Sequence, residues 1–252
     1  MRSVRVGMIK AVPVKWAKRR NWNALDRLVR EAARRGAQVV VTPECFLDGY
    51  VIHEEDCTPE RLRRMAERGE RSAYVKKMKA LVRELGVHLV AGFTDTPDGK
   101  TFHNAAYLFG PKGEVIGKYC KIHVAAGCTP GDALPVFETA FGQAGMVICA
   151  DRRWPENIRI LAVRGAEVIL MPTYGMWHEA NEAWMRTRAY ESGLYICFTH
   201  PRVSLICNPR GEVEAKLQSN VPDVLVHDLD LDTVTHKHLD ERRPDLYGPL
   251  TD

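Results

Sequence analysis

The chain has 252 residues, enough for one large α/β domain or two small ones, and 45% hydrophobic residues supply a substantial core. Its 36 Lys and Arg against 32 Asp and Glu leave a net charge of +4, spread along the chain apart from small basic clusters at Lys18-Arg19-Arg20 and Lys76-Lys77. Those clusters alternate with apolar positions, as solvated helix faces do, and without a basic stripe or aromatic ladder the balance argues against a nucleic-acid partner. The opening segment Met-Arg-Ser-Val-Arg-Val-Gly-Met-Ile carries arginine inside its apolar run, and no stretch reaches the length of a membrane span or signal core. A soluble, cytoplasmic protein with no membrane partner is therefore expected. The seven cysteines (45, 57, 120, 128, 149, 197 and 207) are odd in number, scattered and free of any Cys-x-x-Cys pair. That pattern argues against a disulfide framework and against a zinc site, and predicts reduced thiols.

In chain order, residues 3–12 alternate as a strand ending at Pro13, and Trp22, Leu25, Leu28, Val29 and Ala32 recur at helical spacing up to Gly36. Residues 38–43 form a continuously apolar strand with Glu44 directly after it. Residues 59–86 have helical periodicity broken near Gly69, and 87–93 read as another strand. The turns Pro97-Asp98-Gly99-Lys100 and Pro111-Lys112-Gly113 separate strands at 102–109 and 114–119, and this hairpin run delivers Lys121 and His123. Residues 125–132 are loop and 136–139 a short strand. Met146-Val147-Ile148 then ends at Cys149, a strand running into a sharp turn before a helix at 157–164. A strand at 166–172, a loop at 174–178 and a helix at 181–192 follow. Strands at 194–199 and 204–207, a hairpin return through Asn208-Pro-Arg-Gly-Glu, and a last strand at 224–231 lead to a polar tail. No linker, repeat or low-complexity stretch divides the chain, so one domain over residues 1–252 is expected. The order of strands and helices predicts two mixed sheets packed face to face with helices outside.

Three residues stand just beyond apolar strands: Glu44, Lys121 and Cys149. A cysteine after an apolar run is either a small buried hydrophobe or a nucleophile held at the end of a sheet. A carboxylate at a buried strand end is costly unless paired, which argues that Glu44 is not there for the core. A cysteine nucleophile needs a base, a cation to steady the thiolate and the oxyanion, and a nearby backbone donor. Glu44, Lys121 and the Ala150 N–H meet those needs.

The stretches carrying these residues are Thr-Pro-Glu-Cys-Phe-Leu-Asp-Gly-Tyr (42–50), Gly-Lys-Tyr-Cys-Lys-Ile-His (117–123), Gly-Met-Val-Ile-Cys-Ala-Asp-Arg-Arg-Trp-Pro-Glu (145–156) and Arg-Gly-Ala-Glu-Val-Ile-Leu-Met-Pro (164–172), with Arg-Arg-Pro-Asp-Leu-Tyr-Gly-Pro-Leu (242–250) near the end. In this order they resemble the nitrilase, or carbon-nitrogen hydrolase, superfamily. The resemblance implies a four-layer αββα sandwich, a homodimer or higher homo-oligomer, and a Glu44-Lys121-Cys149 triad. It further implies hydrolysis of a small linear amide or N-carbamoyl (ureido) compound through a Cys149 thioester, with release of ammonia and no metal or organic cofactor. A nitrilase acting on nitriles and a catalytically idle member that binds or scaffolds are the alternatives.

By analogy with the family's loops, Tyr50, Thr173, Tyr174 and Trp177 are expected as pocket walls, though aromatics in such places also serve as core. Arg152-Arg153 resembles the pair in N-carbamoyl amino acid amidohydrolases, where a guanidinium can clamp a substrate carboxylate. The competing reading pairs both arginines with Asp151 and Glu156. Many family members carry a further glutamate in the loop before a Pro-Gly pair, which helps orient the lysine and the substrate. Here the loop Ile-His-Val-Ala-Ala-Gly-Cys-Thr-Pro-Gly-Asp has none, and Asp132 lies after the Pro-Gly. His178, Glu179 and Glu182 are the candidates to replace it. His236-Lys-His238 lacks a third ligand nearby and reads as solvated tail.

Overall fold

The computed structural model describes residues 2–175 and 179–248. Twelve strands form two six-stranded sheets among these residues. The first runs β12 (Asp223–Asp230), β1 (Ser3–Lys10), β2 (Val39–Val41), β3 (His88–Asp95), β4 (His103–Phe109), β5 (Val115–Cys120). The second runs β11 (Val213–Gln218), β10 (Val203–Cys207), β9 (Tyr195–Thr199), β8 (Val168–Pro172), β7 (Gly142–Met146), β6 (Val136–Thr139). Both sheets are mixed, and each has a parallel centre flanked by antiparallel strands: β1, β2 and β3 in one, β7, β8 and β9 in the other.

Alternation along the strands explains the layering. Val39 and Val41 of β2 face the core between the sheets with Val4, Val6 and Met8 of β1, whereas Val40 and Ile9 face the opposite side. That outer side receives α1 (Lys18–Arg34), which buries Leu25, Leu28, Val29 and Ala32 at helical spacing, and α3 (Ala73–Leu85), which buries Val75, Met78, Leu81 and Val82. Gly7 permits the close approach of α1, since a β-carbon there would lie 2.9 Å from that of Ala32. Helix α2 (Pro59–Met65) precedes α3 and starts on Thr58, whose hydroxyl accepts from the Arg61 N–H at 3.2 Å.

Between the sheets β1 faces β9 and β10, while β2 and β3 face β8. Outside the second sheet lie α4 (Pro155–Val163), which buries Ile158, Leu161 and Ala162, and α5 (Glu179–Ser192), which buries Met185 and Ala189; α6 (Lys237–Asp240) packs on α5. The result is the αββα order expected from the sequence. The Cys149 strand is shorter than its apolar run: pairing stops at Met146, and a one-turn 3-10 helix, Cys149–Arg153, precedes α4. No helix among the described residues is long and apolar enough to cross a membrane.

Candidate active site

Beyond β2 the chain bends sharply at Thr42-Pro43-Glu44. The Thr42 hydroxyl accepts from the Gly92 N–H at 2.9 Å, and a β-carbon at Gly92 would lie 2.8 Å from both Cys45 N and Pro43 O, so only glycine lets β3 run this close. Cys45 takes a left-handed φ of 44°, and the Glu44 N–H reaches across to Thr173 O of the other sheet at 3.3 Å. The Glu44 side chain is fully buried. Its Oε1 accepts from Lys121 Nζ at 2.6 Å and from Asn104 Nδ2 at 2.8 Å, while its buried Oε2 has no hydrogen-bond partner among the described residues. Lys121 follows β5 directly, held at both ends of its backbone by Asn104 O (2.9 Å) and Gly131 N (2.8 Å). Burial works against the lysine's charge, but Glu44 and the nearby Cys149 outweigh it, and the Lys121 pKa stands above its ordinary value.

Cys149 opens the one-turn helix with a left-handed φ of 47°. A non-glycine residue in that region stores strain that surrounding contacts must sustain. Those contacts centre on Asp151, two residues on. Its Oδ2 accepts from the Tyr119 hydroxyl at 2.7 Å and from the Ile148 N–H at 3.2 Å, and its Oδ1 meets both the backbone N and Nδ1 of His123 at 2.9 Å. The His123 ring stacks on Trp154 at 3.4 Å. Residues two before and two after Lys121 are thus tied to the Cys149 turn through one carboxylate.

Arg152 is also buried. Its Nη1 lies 3.4 Å from Cys149 Sγ and its Nε donates to Asn181 Oδ1 at 2.9 Å, with the guanidinium over the rings of Phe198 (5.7 Å) and Trp184 (6.0 Å). Asp151 is engaged elsewhere, and no ion pair joins Arg152 or the exposed Arg153 to Asp151, to Glu156 or to any other carboxylate among the described residues. Burial raises the Cys149 thiol pKa and Glu44 raises it further, while Lys121, Arg152 and a backbone hydrogen bond from Tyr174 pull it down.

Beside Cys149, the Tyr50 and Tyr174 rings stack at 4.4 Å, and Lys15 Nζ sits over both, 5.3 and 5.0 Å from their centres. A cavity of about 690 Å³ adjoins them, walled also by Gly175, His200, Arg202 and Gln218. Ala150 is half-buried in the turn after Cys149, whereas Thr173 is fully buried outside the cavity wall, its hydroxyl on Met171 O at 3.3 Å. Trp177 and His178 lie outside the described residues. Glu179 is exposed, and Glu182 pairs with Lys216 at 2.8 Å on the surface. Among the described residues no group of three or more His, Cys, Asp or Glu is arranged to hold a metal ion.

Residues 5–238 match the carbon-nitrogen hydrolase family. The chain belongs to it. A relative named nitrilase, from Pyrococcus abyssi, is 33% identical, with 94% of each chain covered. Omega-amidase NIT2 of Xenopus tropicalis is 29% identical over 92% of each chain. The structure of an amidase of Nesterenkonia AN1 from the nitrilase superfamily superposes with a TM-score of 0.85 at 24% identity, covering 98% of this chain and 97% of that one, a likeness of fold. In this carbon-nitrogen hydrolase, Glu44, Lys121, Cys149, Ala150 and Arg152 come together between the sheets, with Tyr50 and Tyr174 at the cavity beside them. Three further residues in contact with that group carry no signal in the sequence: Asn104, Asn181 and His200. Each meets its partner only through the packing of separate elements, Asn104 from β4, Asn181 from α5 and His200 from the end of β9.

Proposed function

We propose that this carbon-nitrogen hydrolase cleaves the C–N bond of a small linear amide or N-carbamoyl compound by acyl transfer to Cys149. The observation that carries the reading is the split role of the Glu44 carboxylate: Oε1 is occupied by Lys121 and Asn104, and Oε2 is buried without a partner among the described residues. A buried unbonded carboxylate oxygen is expensive, which favours a proton-transfer role over a structural one. Glu44 Oε2 takes the thiol proton as Sγ attacks the carbonyl carbon, and Lys121 Nζ with the Ala150 N–H steadies the oxyanion. Donors of that kind are worth about 3 kcal/mol each. The protonated Glu44 then gives its proton to the leaving nitrogen and ammonia departs. A thioester remains on Cys149, and a water that Glu44 deprotonates releases the acid and frees the thiol.

The Arg152 side chain supports a substrate carrying a carboxylate. A guanidinium buried against two aromatic rings, with no carboxylate paired to it among the described residues, gains most from an anion brought by the ligand. Asn104, by sharing Glu44 Oε1 with Lys121, supplies part of the ordering that the loop at 124–131 lacks a glutamate to give.

The test is ammonia release from a panel of small amides, ureido acids and nitriles, with wild type beside Cys149→Ala. Release from amides or ureido acids, lost by at least about 10⁴-fold in the variant, is the expected result. Release from nitriles alone favours the nitrilase alternative, and a panel that is flat for both proteins favours the idle scaffold.

A further inference from the structure

The C-terminal ends of β7, β8 and β9, three neighbouring parallel strands, lead to Cys149, to Gly175 and to His200. His200 is 3% exposed, and its two ring nitrogens have different duties. Nδ1 lies 3.1 Å from Arg202 N and 3.3 Å from Val203 N, the backbone donors of the turn between β9 and β10. Two N–H groups pointing at one nitrogen require it to be unprotonated, so the ring proton belongs on Nε2. Nε2 then donates to Gly175 O at 2.8 Å. The ring lies over Phe198, 5.9 Å between centres. Burial pushes the His200 pKa down, and the nearby Arg152 and Arg202 act in the same direction against the carbonyls of Gly175 and Tyr174, a shift that favours the neutral form.

Gly175 is pressed against the nucleophile, for a β-carbon there would lie 3.1 Å from Cys149 Sγ. Its neighbour Tyr174 supplies the backbone hydrogen bond that favours the thiolate. We propose that His200 is a positioning residue which, through its Nε2–H tautomer, pins the Tyr174-Gly175 main chain onto the Cys149 sulfur and so helps set the thiol's ionisation. The link to turnover rests on the hydrolase reading of the site; the link to the thiol does not.

Two isosteric variants separate the two ring nitrogens. His200→Asn places an amide oxygen where Nδ1 stands, preserving the turn but falling short of Gly175. His200→Gln places an amide nitrogen where Nε2 stands, preserving the latch but leaving the turn's N–H groups without their acceptor. The measurement is the pH profile of Cys149 carbamidomethylation by iodoacetamide, resolved from the other cysteines by peptide mass spectrometry, together with Tm and with kcat and KM on any substrate found. The midpoint reports thiol ionisation, and the plateau reports access.

For His200→Asn the midpoint moves upward, the thiolate fraction at neutral pH falls about tenfold, and kcat drops more than KM changes, with Tm close to wild type. His200→Gln keeps the wild-type midpoint and lowers Tm. A wild-type midpoint in His200→Asn, or equal shifts in both variants, overturns the latch. If the midpoint moves as stated while wild type turns over nothing in the panel, the latch stands and the hydrolase reading falls. Turnover lost in Cys149→Ala with an unmoved His200→Asn midpoint has the opposite meaning.

Discussion

Glu44 and Cys149 follow parallel strands of two facing sheets, yet the chain holds them by different means. On the first sheet the constraint is electrostatic: a fully buried carboxylate receives Lys121 Nζ at 2.6 Å and Asn104 Nδ2 at 2.8 Å on one oxygen. On the second it is conformational. Cys149 sits at a φ of 47°, Gly175 leaves no room beside its sulfur, and Asp151 and His200 fasten the chain on either side. Under the proposed reaction Glu44 keeps its charge partner through the cycle, which side-chain pairing suits, whereas Cys149 changes its bonding, and a backbone turn fixes its direction without occupying the sulfur.

The first sheet's half of the site depends most on Lys121. Replacing it with methionine keeps much of the side-chain volume and removes the cation, leaving a buried carboxylate that retains only Asn104. Stability is expected to fall by about 3–5 kcal/mol, read as a lower midpoint in urea with an unchanged slope. Adding Glu44→Gln to the same protein removes the stranded charge and is expected to recover most of the loss while leaving turnover absent. A Lys121→Met single variant as stable as wild type would mean that the first sheet's pair does not hold its half of the site.

Gly175→Ala probes the other half at smaller cost. Its methyl group would sit 3.1 Å from Cys149 Sγ, closer than carbon and sulfur pack without displacement. Overpacking of this kind costs about 1–3 kcal/mol, and here relief requires moving either the Tyr174-Gly175 main chain or Cys149. The expected outcome is a modest drop in Tm with a large fall in kcat. Equal, small changes in both would show that the sulfur tolerates displacement, and the conformational account of the second sheet would not survive.

Much of this arrangement is legible in the sequence because it repeats one device. Glu44, Lys121 and Cys149 each stand shortly after an apolar strand, and the strand and helix periods that place them are strong. Asn104 is different: it lies within β4, 60 residues from Glu44, and nothing local distinguishes its amide from any other strand asparagine. His200 carries no local signal either, since the carbonyl it holds is 25 residues away. Arg152 draws notice by its place close to Cys149, but its partner Asn181 is contributed by α5, and the carboxylates beside it in sequence are not its partners. Sequence proximity is a poor guide to pairing where a turn points successive side chains in different directions.

Glu182 gives the smallest effect and sharpens the contrast from outside. The sequence offers it as a substitute for the glutamate that the loop at 124–131 lacks, because it follows the strand leading to Thr173. On α5, however, its carboxylate meets Lys216 of β11 at 2.8 Å, with both side chains about a third exposed (30% and 36%). An ion pair so open to water contributes about 0–1 kcal/mol. Glu182→Ala is therefore expected to leave kcat, KM and the Cys149 alkylation profile at wild-type values and to lower Tm by no more than a degree or two, roughly the worth of one surface pair. A change in substrate range would bring α5 into the site. Unchanged kinetics would leave the ordering of Lys121 to Glu44 and Asn104, which is where the buried hydrogen bonds already converge.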